Sequence, residues 1–153
     1  MIGDLILGLA LMFGPFSDGQ LKCLADNIYH EARGETIQGQ LAVTHVVFNR
    51  THSNKYPTNY CSVIKQAQKW KGRIIRDKCQ FSWYCDGISD YPEDREAYAA
   101  AVRSAVDAWN VYYLSDMDMS NGATHYHAVQ IYPYWADSMT QTITIDNHVF
   151  YKK

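Results

Sequence analysis

Carboxylates and histidines at a few positions set the chemical possibilities of this chain. Glu31 stands in Ile28-Tyr29-His30-Glu31-Ala32-Arg33-Gly34-Glu35. The run before it has helical spacing, and Gly34 is where a chain commonly leaves a helix. Glu31 therefore falls in a last helical turn, where exposed carbonyls and the dipole make ionisation costly. An apolar setting would raise its pKa further and suit it to general acid work near neutral pH. Spacing alone equally describes an ordinary surface glutamate ahead of a cap. Glu35 and Asp86 are the candidates for a second carboxylate. Their alternatives are capping a helix that starts near Thr36 and stabilising the turn at Gly87.

Three other groups carry chemistry. Gln80, Ser82 and Trp83 could give a groove hydrogen bonds and a stacking face, or simply anchor a loop. His125 and His127 are two apart on a predicted strand, so they share a side while Tyr126 turns to the core. They could contact sugar hydroxyls or, with His148, bind zinc, although no third ligand lies at a telling spacing. Arg33 is expected to hold the acid loop by pairing with a carboxylate.

Elements that could position these groups follow from periodicity. Leu21, Leu24, Ala25 and Ile28 predict a helix over 20–33. Thr36 predicts the cap of a second helix ending near 51–54, before Pro57. A loop over 55–60 and a short helix over 61–68 follow. Residues 70–92 read as a long irregular segment, aromatic and cysteine-bearing, hence a functional loop. The surest helix covers 93–114. After a polar loop at 116–122 the chain becomes rich in Thr, Tyr, Ile and Val. Alternation at 140–145 and 148–151 around Asp146-Asn147 predicts a hairpin. The fold class is α+β, a helical body with a small antiparallel β-sheet near the C-terminus.

At 153 residues, 47% apolar and 20% charged, the chain fits one globular domain. A net charge of −2 gives no sign of nucleic-acid binding. Aromatic content is 14%, which suits either sugar stacking or a compact core. Cys23, Cys61, Cys79 and Cys85 allow two disulfides in three pairings, and at least one is expected. Residues 1–19 form an apolar N-terminal segment too short to span a bilayer, either a packed helix or a degenerate export or anchor signal. Residues 20–153 are expected to form one folded domain.

Several segments, taken in order, carry a resemblance. They are 27–35, Gly39-Gln40-Leu41-Ala42-Val43, Val47-Phe48-Asn49-Arg50, Tyr56-Pro57, Gln80-Phe81-Ser82-Trp83, Cys85-Asp86-Gly87, 122–128 and His148-Val149-Phe150-Tyr151. Together they resemble the SleB-type cell-wall hydrolases, the catalytic domain of spore cortex-lytic enzymes, found in spore formers, other bacteria and phages. The resemblance implies a lysozyme-like fold and cleavage of peptidoglycan between N-acetylmuramic acid and N-acetylglucosamine. It makes Glu31 the general acid of a lytic transglycosylase or muramidase; no cofactor or metal is expected, since no third zinc ligand lies at a telling spacing. It makes residues 20–153 a cell-wall hydrolase catalytic domain acting on the bacterial wall, in the periplasm or outside the cell, and a monomer is the default for an enzyme working on a polymer.

The chain departs from the spore branch. It carries no separate peptidoglycan-binding repeat, and His125 and His127 stand where that branch has tyrosines. The four cysteines look like Gram-negative and phage members, and the small module looks like a phage endolysin. Two rivals remain at this stage: a zinc amidase or peptidase using His125, His127 and His148, and a non-catalytic wall-binding module.

Overall fold

The computed structural model describes residues 16, 17 and 19–153, so the N-terminal apolar segment lies almost wholly outside the described residues. Helix α1 spans Gln20–Ala32 and buries Leu24, Ala25, Ile28 and Ala32 on one side. Backbone N–H groups of Gly34 and Glu35 both turn back to the Ala32 carbonyl and end it. Helix α2, Ile37–Thr51, starts at Thr36, whose side chain accepts the Gly39 N–H. Every residue from Leu41 to Phe48 is buried, which makes α2 the centre of the domain.

Gly39 leaves room for a distant side chain where α2 begins. A Cβ there would meet the Asp146 carboxylate at 2.5 Å. That carboxylate accepts from both the Thr36 N–H and its hydroxyl, which ties the start of α2 to a distant turn.

Helix α3 is shorter than its sequence predicts, spanning only Tyr60–Ile64. Strand β1, Ala67–Trp70, and strand β2, Arg73–Cys79, then form an antiparallel hairpin. This corrects the irregular reading of 70–92. Nearly every hairpin residue is exposed, so no alternation of apolar residues marks it. Lys71 and Gly72 make its tight turn with φ of 48° and 78°. The irregular part begins at Gln80 and contains one 3₁₀ turn, Ser82–Tyr84.

Helix α4, Arg95–Trp109, is capped by Asp94 and packs Ala101, Ser104, Ala105 and Ala108 inwards. Small side chains let it approach α1 and α2 closely. Its continuation, Asn110–Leu114, widens into a π turn. Tyr112 and Tyr113 from this turn donate to or meet Asn49 and His52 of the α2 end.

The last layer is a three-stranded antiparallel sheet in the order β3-β5-β4: β3 His125–Ala128, β4 Thr140–Ile145, β5 His148–Lys152. Its register pairs Tyr126 with Phe150 and His127 with Val149. Phe150 and Ile145 pack against Val43 and Val46 of α2. The α+β class and the 140–151 hairpin stand as the sequence predicts. Disulfides join Cys23 to Cys61 and Cys79 to Cys85. The first fixes α3 to α1 across 38 residues, a closure that contributes about 4 kcal/mol. Among the described residues, no helix is long and apolar enough to cross a membrane.

Candidate functional site

The site grows from two helix ends and one strand. Asn49 and Arg50, at the end of α2, hold the lead-in to β3. Asn49 donates to the Ala123 carbonyl at 2.8 Å, and Arg50 Nε donates to the Thr124 carbonyl at 2.8 Å. With β3 fixed in this way, Tyr126 points inwards. Its hydroxyl donates to Glu31 Oε2 at 3.1 Å. The acid candidate on α1 is therefore held by the middle residue of a strand 95 residues away.

Burial raises the pKa of Glu31 above the ordinary carboxylate value, while the Tyr126 bond and the Arg50 charge work in the opposite direction. Burial is the largest of these effects. Arg50 is itself buried between the rings of Tyr56, at 5.1 Å, and Phe81, at 5.4 Å. Among the described residues, its Nη1 has no hydrogen-bond partner. A cation beside a buried carboxyl tempers the cost of forming the carboxylate, so the group can both hold a proton and release it.

Trp83 is buried, not free to offer a stacking face. Its Nε1 donates to Asn27 Oδ1 at 3.0 Å, and its ring stacks on His30 at 4.7 Å. It anchors the loop to α1 one turn before Glu31. Its neighbours Gln80 and Ser82 remain exposed on that loop, next to the Phe81 that packs on Arg50.

Both candidate second carboxylates are held by turn contacts. Glu35 accepts from the backbone and side-chain nitrogens of Asn147 at 3.3 and 3.2 Å. It ties down the β4–β5 turn, while Thr36 caps α2. Asp86 accepts from the Ile88 N–H at 2.8 Å, a turn role. Arg33 lies over the Tyr29 ring at 4.2 Å, and among the described residues no carboxylate pairs with it. Arg50 is the cation near the acid.

His125 and His127 do share a side, but it is the sheet face opposite Tyr126. His127 meets the Tyr151 hydroxyl at 2.9 Å and stacks on that ring. His125 bonds the Thr124 hydroxyl and packs near Trp135, and burial, with Arg50 and Lys153 adding, pushes its pKa down to about 4. His148 packs on Tyr126 from the inner face. Strand alternation thus divides the three histidines between two faces, which removes the zinc trio as a geometry. Among the described residues, no cluster of three His, Cys, Asp or Glu side chains could hold a metal ion.

Tyr126, Arg50 and Tyr56 were not picked out as site residues from sequence. Tyr126 had a readable signal: it alternates with two histidines and was assigned inwards, which is also where Glu31 sits.

The loop carrying the β3 lead-in depends on Asp118. It accepts from the Ser120 N–H and hydroxyl at 2.8 and 2.7 Å, and from Asn49 and the Gly122 N–H at 2.8 Å each. His45, 3.6 Å away, faces it with the nitrogen that already accepts the Met119 N–H. Burial alone would raise the Asp118 pKa, but the donors outweigh it and hold the group well below its ordinary 3.8. Its stabilising effect is fully present above that value and is lost as pH falls through the depressed pKa. Asp118→Asn is expected to cost about 2 kcal/mol at neutral pH. Thermal melts should show the gap to the parent narrowing as the buffer is acidified below the ordinary carboxylate range.

Comparisons with known proteins agree with this architecture. Residues 34–151 match the cell wall hydrolase family. Glu31 lies just before the matched span. A spore cortex-lytic enzyme of Bacillus subtilis (strain 168) is 32% identical over 101 residues, covering 66% of this chain and 29% of that protein. One from Halalkalibacterium halodurans is 31% identical over 136 residues, covering 88% and 35%. The chain thus spans only a minor part of the length of these relatives. The solved catalytic domain of the germination-specific lytic transglycosylase SleB from Bacillus anthracis superposes with a TM-score of 0.66 at 25% identity, covering 91% of this chain and 98% of that one. The Bacillus cereus SleB catalytic domain gives 0.62 at 25% identity, covering 91% and 94%. In fold and in sequence, this lysozyme-like α+β chain belongs to the cell wall hydrolase family.

Proposed function

We propose that the protein cleaves the glycan strands of peptidoglycan between N-acetylmuramic acid and N-acetylglucosamine as a lytic transglycosylase, with Glu31 as its acid and then its base. One observation carries this reading. Glu31 is a buried carboxyl held by Tyr126, while Glu35 and Asp86 are engaged in turns.

Glycoside cleavage needs a proton on the leaving oxygen and support for an oxocarbenium-like centre. Glu31 gives its proton to the glycosidic oxygen. In a transglycosylase the muramic acid C6 hydroxyl then attacks its own anomeric carbon, and the Glu31 carboxylate takes the hydroxyl proton. No second carboxylate is needed. The Tyr126 hydroxyl and the Arg50 guanidinium stabilise Glu31 while it is ionised between the two transfers. Gln80 and Ser82 supply hydrogen bonds to the strand beside the acid. The name carried by the Bacillus anthracis structure supports the same reaction class.

Mass spectrometry of digests of purified peptidoglycan is the test. Products ending in 1,6-anhydro sugars are expected. Reducing ends alone would make the enzyme a muramidase and call for a water-activating carboxylate.

The proposed setting is the periplasm or the outside of the cell, where the two disulfides persist. Acting as a monomer in cell lysis, in the manner of an endolysin, the protein would lyse cells only while Glu31 is intact.

A further inference from the structure

The β1–β2 hairpin concentrates charge in a way the active site does not use. Residues 65–78 hold six of the chain's fourteen Lys and Arg and one of its sixteen Asp and Glu. That segment is therefore +5 and the remainder −7, in a chain whose net charge is −2. The acid, Asp77, sits 3.9 Å from Arg76 at the hairpin base.

The hairpin also exposes apolar side chains. Trp70 is 68% exposed, Ile74 41% and Ile75 37%. Trp70 pairs with Arg73 across the tight turn, and strand alternation places Ile75 on that same face. Lys71 at the tip lies 5.7 Å over the Trp70 ring. One face thus offers an indole and an aliphatic side chain bracketed by Lys71 and Arg73. The base is secured by the Cys79–Cys85 disulfide and by Gln80 N–H to the Gln66 carbonyl. Such a stiff arm presents these groups without ordering cost.

We propose that this hairpin is a peripheral docking site for an anionic phospholipid surface. Basic residues are drawn to an anionic leaflet, and Trp favours the headgroup level. Aliphatic side chains beside the indole favour lipid over a carboxylated glycan, since Ile gains nothing against a sugar's hydroxyls. The charge segregation adds orientation: the tip is attracted and the acidic body is held away. A basic patch with a small apolar insertion gives reversible binding, not anchoring.

The test is co-sedimentation of the whole protein with mixed phosphatidylglycerol–phosphatidylethanolamine vesicles and with phosphatidylcholine vesicles. Binding to the anionic vesicles alone, weakened by salt, is expected. Each neutralised charge near the surface should lower partitioning about fivefold, so Lys69→Gln/Lys71→Gln/Arg73→Gln should lower it on the order of a hundredfold. Trp70→Ser should lower it by a smaller factor at unchanged charge. These residues are exposed, so both variants should melt with the parent and keep its activity on soluble glycan fragments. Equal binding to both vesicle types, or binding insensitive to both variants, overturns the proposal. So does loss of binding to purified wall sacculi with vesicle binding unchanged, which would make the hairpin a wall-polymer site.

Discussion

Glu31→Gln is expected to lower glycan cleavage by at least about 10²–10⁴-fold, the usual worth of a positioned general acid. The amide keeps the shape of the side chain and can still accept from Tyr126, so peptidoglycan pull-down should be unchanged. Retained binding without cleavage would set aside the reading of a pure wall-binding module. Unchanged cleavage would remove Glu31 from the mechanism. The same variant should also be more stable. Burial raises the folded-state pKa of Glu31, so the folded protein binds a proton more tightly than the unfolded chain. Stability is then fully present below the ordinary value of 4.5 and declines as pH rises through the raised pKa. A neutral amide has no such decline. Melting curves should therefore coincide near pH 4 and separate at neutral pH, with the variant melting higher. A functional residue that costs stability is a common arrangement.

The second large effect is expected from Tyr126→Phe. This change removes one hydrogen bond to Glu31 and leaves the ring packed on His148 and Phe150. A bond to an ionised group is worth about 1.5–3 kcal/mol, so turnover should fall about 10–100-fold. The pH dependence distinguishes this from general damage. The Tyr126 bond lowers the Glu31 pKa, so its loss lets burial raise that pKa further. Glu31 must be protonated to act as acid, so activity declines at pH values above its pKa. That alkaline limb should move to higher pH in the variant. A limb that stays in place, with only the maximum reduced, would make Tyr126 a packing residue.

How much of this could be read from the sequence depended on which faces are buried. Helix α1 buries one face, so Leu24 and Ile28 recur at helical spacing, and His148 and Phe150 stand two apart on the buried side of β5. The β1–β2 hairpin buries neither face, and Lys, Arg and Ile follow one another without a period. Only Gly72 hinted at its turn. The candidate site was legible at Glu31 and as a loop at Gln80–Trp83, but the identity of its supports was not. Arg50 looked like the basic end of a helix, and its burial between Tyr56 and Phe81 comes from chain segments far apart in sequence. His125 and His127 attracted attention because of their type. The sheet's alternation gave the acid the tyrosine between them.

The strand order β3-β5-β4 has a temporal consequence. Strand β3 pairs with β5, and β5 ends at Lys152. During synthesis, Glu31 is complete long before residues 148–152 exist to receive β3 and hold Tyr126 inwards. On the proposed role of Glu31, a growing or misdocked chain carries the acid without its hydroxyl partner. The helical body alone is then a poor wall-cutting enzyme, and full competence arrives with the last strand to join the sheet. On the proposed function, the protein would thereby be safest to its producer while it is still being made.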